Sequence, residues 1–126
     1  YSSGYADLSD VQGKHLAFAK VKNAAGAFVS PTVATSAKFL SAQTVPADGQ
    51  VKIAFTKKVV GGYNLSALTY GLASSATPVA AKAAGIKAFY TYVISKFSPS
   101  QGAALGYVSL TGSLKAKALD LVKKIK

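Results

Sequence analysis

The chain has 126 residues, half of them hydrophobic and 15% charged, with a mean hydropathy of +0.28. That is apolar surface enough for one folded domain, and it excludes intrinsic disorder. All 15 basic residues are lysines facing four acids, Asp7, Asp10, Asp48 and Asp120, so the net charge is +11 and anionic partners are attracted at long range. With no Cys, no Glu and His15 as the one imidazole, the composition excludes disulfide frameworks, thiolate zinc sites and cysteine nucleophiles, and it leaves no ligand cluster for a metal cofactor.

In chain order, His15 follows Gly13-Lys14 and reads as a turn residue rather than a catalytic base. Leu16 to Lys22 alternates loosely and meets Ala27-Phe28-Val29 across Asn23-Ala24-Ala25-Gly26, a connection suited to a hairpin. Three of the four prolines follow Ser or Thr at Ser30-Pro31, Thr77-Pro78 and Ser98-Pro99. Each pair combines an N-cap hydroxyl with proline at the first helical position and predicts a helix start. The first such helix runs from Pro31 to about Ala42, with Val33, Ala37 and Leu40 apolar and Phe39 nearby, and a turn follows at Pro46-Ala47-Asp48-Gly49.

Val51, Ile53 and Phe55 alternate with Lys52, Ala54 and Thr56, which predicts a half-exposed strand. Gly61-Gly62 then interrupts the chain as a linker or hinge, and Tyr63 to Ala73, with Leu65, Leu68, Tyr70 and Leu72, reads as a more buried strand. After Thr77-Pro78, the residues Ile86, Phe89, Tyr90, Val93, Ile94 and Phe97 share one helical face; this aromatic stripe reads as core rather than as a stacking platform. A short helix from Ser98-Pro99 stops at Gly106, and Tyr107 to Leu110 is extended. The last helix starts near Ser113 and turns Leu114, Ala118, Leu121, Val122 and Ile125 inward, with Lys115, Lys117, Lys123, Lys124 and Lys126 on the remaining, solvated surface.

Motifs that would carry chemistry are missing. No nucleotide-binding loop or calcium loop occurs, and Gly61-Gly62-Tyr63-Asn64 lacks the Lys-Ser/Thr of a phosphate cradle. The absence of Arg argues against sequence-specific DNA recognition, while phosphate-backbone attraction through lysine remains open. No apolar run approaches the roughly 20 residues of a membrane span. Residues alone give a basic α/β chain with no catalytic constellation.

Four stretches, in order, resemble the closing portion of the phosphate-binding protein of bacterial ABC phosphate transporters. Gly4-Tyr5-Ala6-Asp7 is similar to that family's Gly-Tyr-acidic strand leading into a helix. The run Ala19 to Thr32 is similar to its hairpin followed by Ser/Ala-Pro-Thr. Gly62 to Tyr70 resembles its Tyr-Pro-Ile-Ser-x-x-x-Tyr segment, with Asn64 where proline is usual. Lys87 to Ile94, Ser100 to Leu110 and the last amphipathic helix resemble its C-terminal helices and Gly-Tyr-x-x-Leu connection.

The resemblance implies an α/β fold: the C-terminal portion of a two-lobed periplasmic-binding-protein-like architecture of type II, a mixed sheet packed by helices. Residues 1–61 would belong to the second lobe and 62–126 to the first. It implies a secreted, periplasmic or cell-surface solute-binding protein, not an enzyme and without a cofactor, that captures phosphate for import by an ABC permease. The family's phosphate ligands lie in an earlier part of its sequence, so no phosphate-binding, catalytic or metal residue carries over. Apolar faces meant for missing elements would be covered by a complementary N-terminal polypeptide or by self-association. The competing expectation is a secreted lysine-rich protein that binds anionic polymers or an acidic partner.

Overall fold

The computed structural model describes residues 4–76 and 78–126. A short helix α1 (Leu8–Gly13) opens the described chain, and a two-stranded antiparallel hairpin follows, β1 (Val21–Lys22) with β2 (Phe28–Val29), in the register Val21 opposite Val29 and Lys22 opposite Phe28. The hairpin is where the sequence predicts it. Its turn closes through the Asn23 N–H to the Ala27 carbonyl at 2.8 Å, with Gly26 at φ 91°, a conformation that glycine adopts without steric cost.

Helix α2 (Val33–Ser41) begins two residues later than the Ser30-Pro31 pair suggests. Thr32 is the N-cap: its hydroxyl accepts the Thr35 N–H at 3.1 Å, and the Thr35 hydroxyl in turn accepts the Thr32 N–H at 3.0 Å. This reciprocal pair satisfies backbone donors that a helix start leaves open, and it outcompetes Ser30, whose carbonyl instead accepts from the Thr35 hydroxyl at 2.8 Å. Phe39, fully buried, and Leu40 form the inner face of α2, and Gly62 sits tightly against Phe39. The double glycine is therefore a packed turn: the Gly62 N–H donates to the Val59 carbonyl and the Tyr63 N–H to the Thr35 carbonyl, each at 3.0 Å.

The C-terminal half is helical. Helix α3 (Ala80–Tyr92) is rich in alanine, a strong helix former, and passes through a π-helical turn (Val93–Phe97) into α4 (Ser98–Gln101) and a 3-10 turn (Ala103–Leu105). Ser98-Pro99 thus lies inside a continuous helical run and does not start a new one. Proline has no N–H to offer the preceding turn, and the widened π turn just before it accommodates the loss. The helix start expected at Thr77-Pro78 falls partly on Thr77, outside the described residues; α3 begins at Ala80 after Val79, which supplies no side-chain cap. Gly106, at φ 77°, ends the run as predicted, with the Tyr107 N–H reaching back to the Gly102 carbonyl at 2.8 Å and the Gly106 N–H to the Ala103 carbonyl at 3.1 Å. Helix α5 (Gly112–Lys123) packs against α3 and α2, joining the two halves, and Val122 and Ile125 are buried with Ala83, flanked by Ile86, Tyr90 and Ile94.

The expected two-lobed α/β architecture with a mixed sheet is not formed. About 43% of the described chain is helical, and among the described residues the hairpin is the one sheet. The physical reason lies in the predicted strands, which run beside no partner. From 65 to 73, no backbone N–H donates to a backbone carbonyl among the described residues. The burial there is also inverted, because Asn64 and Ser66 point inward while Leu65, Tyr70 and Leu72 are exposed, Leu72 by 90%. Val51 and Ile53 are half-buried as the alternation predicts, but among the described residues they pair with no strand. The aromatic stripe divides in the same way: Tyr90 and Ile94 reach the core, whereas Phe89 and Phe97 are exposed. In sum, the chain presents 8716 Å² of accessible surface, against about 6,300 Å² for a compact monomer of its mass.

Candidate functional site

Two concave regions stand out, and the smaller is built from side-chain amides. Asn23 opens the hairpin turn, and its Oδ1 accepts the N–H groups of Ala25 at 3.1 Å and Ala27 at 3.0 Å, an arrangement asparagine favours in turns. Its Nδ2 donates to the carbonyls of Gly62 at 3.0 Å and Val59 at 3.3 Å, which fastens the hairpin to the glycine turn. Asn64 works from the opposite side: Nδ2 donates to the Phe55 carbonyl at 2.6 Å and the Lys57 carbonyl at 3.1 Å, and Oδ1 accepts the Ala24 N–H at 3.4 Å. Gln43 joins the end of α2 to the same loop, donating to the Phe39 carbonyl at 3.1 Å and accepting the Ala54 N–H at 3.0 Å.

Between the hairpin and this loop lies a cleft of about 310 Å³, bordered by Val21, Lys22, Phe55, Tyr63 and Leu65. The amides beneath it are already committed to backbone partners, as buried polar groups are. They hold the loop in place and direct no donor into the opening.

The larger region is an open groove of about 810 Å³ along α3. Ala80, Ala83, Ala84 and Ala88 recur every three or four residues and form its floor, with Ile125 brought alongside by α5. Lys87, Lys96 and Lys126 stand around it, and its other polar side chains are Thr91, Tyr92 and Ser95. It can accept apolar groups below and negative charge at the edges, and it contains neither carboxylate nor imidazole side chains to act as an acid or base.

The residues singled out by sequence are scattered. His15 sits at φ 52° past the end of α1, its N–H donating to the Gln12 carbonyl at 3.1 Å while the Leu16 N–H donates to the Val11 carbonyl at 3.0 Å. It therefore closes the helix, in the turn role read from the sequence. Tyr63 to Tyr70 borders the smaller cleft only at its start. Tyr70 reaches back through its hydroxyl to the Val51 N–H at 3.0 Å, and the Tyr90 hydroxyl donates to the Leu72 carbonyl at 3.2 Å. Of the C-terminal lysines, Lys117 pairs with Asp120 at 3.8 Å, the one ion pair among the described residues. Among those residues no group of three or more His, Asp, Glu or Cys side chains assembles, and no helix is long and apolar enough to cross a membrane.

Sequence reasoning missed the Asn23, Gln43 and Asn64 ties and the alanine floor. The signal for the first was Asn23 with Gly26, a turn pair; for the second it was alanine spacing, which hydrophobic periodicity weights lightly. Comparison with protein families, with curated proteins and with solved structures returns no match for this chain.

Proposed function

We propose that this chain is the closing portion of an extracytoplasmic solute-binding protein of the phosphate type, with the phosphate ligands supplied by another part of the protein and an ABC permease as the recipient. The observation that carries the reading is the segment from 65 to 73, which has apolar side chains exposed and, among the described residues, backbone donors without backbone partners. Such a segment is a template for strands from elsewhere. The four ordered stretches of sequence that resemble that family support the reading of the larger protein. Where the family has proline, Asn64 donates two hydrogen bonds, so this departure serves the loop and not the ligand.

Calorimetric titration of inorganic phosphate into the protein isolated natively from its source tests the reading. One saturable site, little changed between low and moderate salt, is expected of a desolvated, hydrogen-bonded oxyanion. Absence of phosphate binding in that preparation contradicts it. A second reading, a lysine-rich protein that binds anionic polymers, is favoured by 15 lysines against four acids and a single described ion pair. It expects binding of polyphosphate that falls steeply with salt.

A further inference from the structure

The larger groove combines an alanine lining with a single sign of side-chain charge. Its floor of Ala83, Ala84 and Ala88 carries no bulk, and side chains of that size allow a second helix axis to approach to about 8 Å. Its edge carries one sign of charge: Lys87, Lys96 and Lys126 surround it, and none of Asp7, Asp10, Asp48 or Asp120 lines it. Lys87 lines the groove half-buried, so that its aliphatic stem can add to the apolar surface beside the alanines.

We infer that this groove docks an acidic amphipathic helix of another polypeptide, with the helix's apolar ridge on the alanines and its carboxylates facing the three lysines. An open, alanine-lined face with three lysines and no acidic side chain matches a ridge flanked by acids. An anionic membrane would meet the lysines, but no Trp or Phe lines the groove to anchor in an interface. A second copy would bring +11 of like charge and lysine-bearing helices of its own. A nucleic acid would satisfy the rim alone. The inference stands apart from the solute-binding reading, since it rests on α3 and Ile125 and not on the unpaired segment.

The test uses a fluorescent peptide of about 18 residues, five helical turns, with leucines at three-and-four spacing and glutamates on both flanks. Anisotropy is measured against the intact protein. Saturable binding is expected, and a peptide with lysine in place of each glutamate should fail to bind. Ala84→Leu fills the floor at an exposed helical position, and the triple change of Lys87, Lys96 and Lys126 to Glu reverses the rim. Each should weaken binding by about tenfold or more, with circular dichroism showing unchanged helicity; Ala88→Leu replaces Ala84→Leu if that variant loses helicity. The inference is overturned if a scrambled peptide of the same composition binds as tightly, if the leucine variant that keeps its helicity binds as the parent does, or if the groove mediates self-association that this variant abolishes in sedimentation.

Discussion

Between β1 and Ser66 the chain forms few regular elements and is closed by side-chain amides reaching backbone groups, whereas from Ala80 to Ile125 it is helical and closed by apolar packing. Both halves bury little, Val29, Phe39 and Leu40 on one side and Ala83, Val122 and Ile125 on the other. The difference lies in what replaces a large core. Helices satisfy their own backbone, so a few apolar side chains suffice to dock them. An irregular loop has no such internal partners, and Asn23, Gln43 and Asn64 supply them from side chains.

Breaking the amide ties should have the largest effect. Asn23→Ala removes two acceptor and two donor contacts and leaves backbone N–H groups without partners. A loss of about 3 kcal/mol is expected in urea unfolding, with Asn23→Asp recovering part of it by keeping the acceptors. In the helical half the most sensitive point is Gly106. At φ 77°, and with a methyl there only 2.9 Å from the Ser9 backbone N, Gly106→Ala strains the turn and pushes α1 away. About 2 kcal/mol should be lost, read as a lower thermal midpoint. Gly85, by contrast, lies inside α3 with open space where a side chain would go. Gly85→Ala should raise stability by about 1 kcal/mol through helix propensity alone. His15→Gly relieves the positive φ at the end of α1 and should stabilise by roughly half a kcal/mol in the same assay.

Features settled by neighbours in sequence were legible in advance. The Asn23–Gly26 turn placed the hairpin, Gly106 placed a helix end, and the spacing of Leu114, Ala118, Leu121 and Val122 placed α5. What failed depended on partners at a distance. Alternation in 51–56 and the apolar residues of 63–73 suit a sheet, but a ladder needs a second strand, and none pairs with them among the described residues. The helix boundaries slipped where two signals competed: Thr32 displaced Ser30 as the cap, and the π turn carried the helix past Pro99. The groove was half legible. The alanine spacing lies within α3, while Ile125 and Lys126, just past the end of α5, arrive as a matter of packing.

The proposed function requires another stretch of polypeptide to complete the segment from 65 to 73. A native mass spectrum of the protein isolated from its source, with and without added phosphate, addresses that most directly. The account predicts a species heavier than 12.9 kDa that contains additional polypeptide and gains the mass of one phosphate. A lone 12.9 kDa species without a phosphate adduct would contradict it.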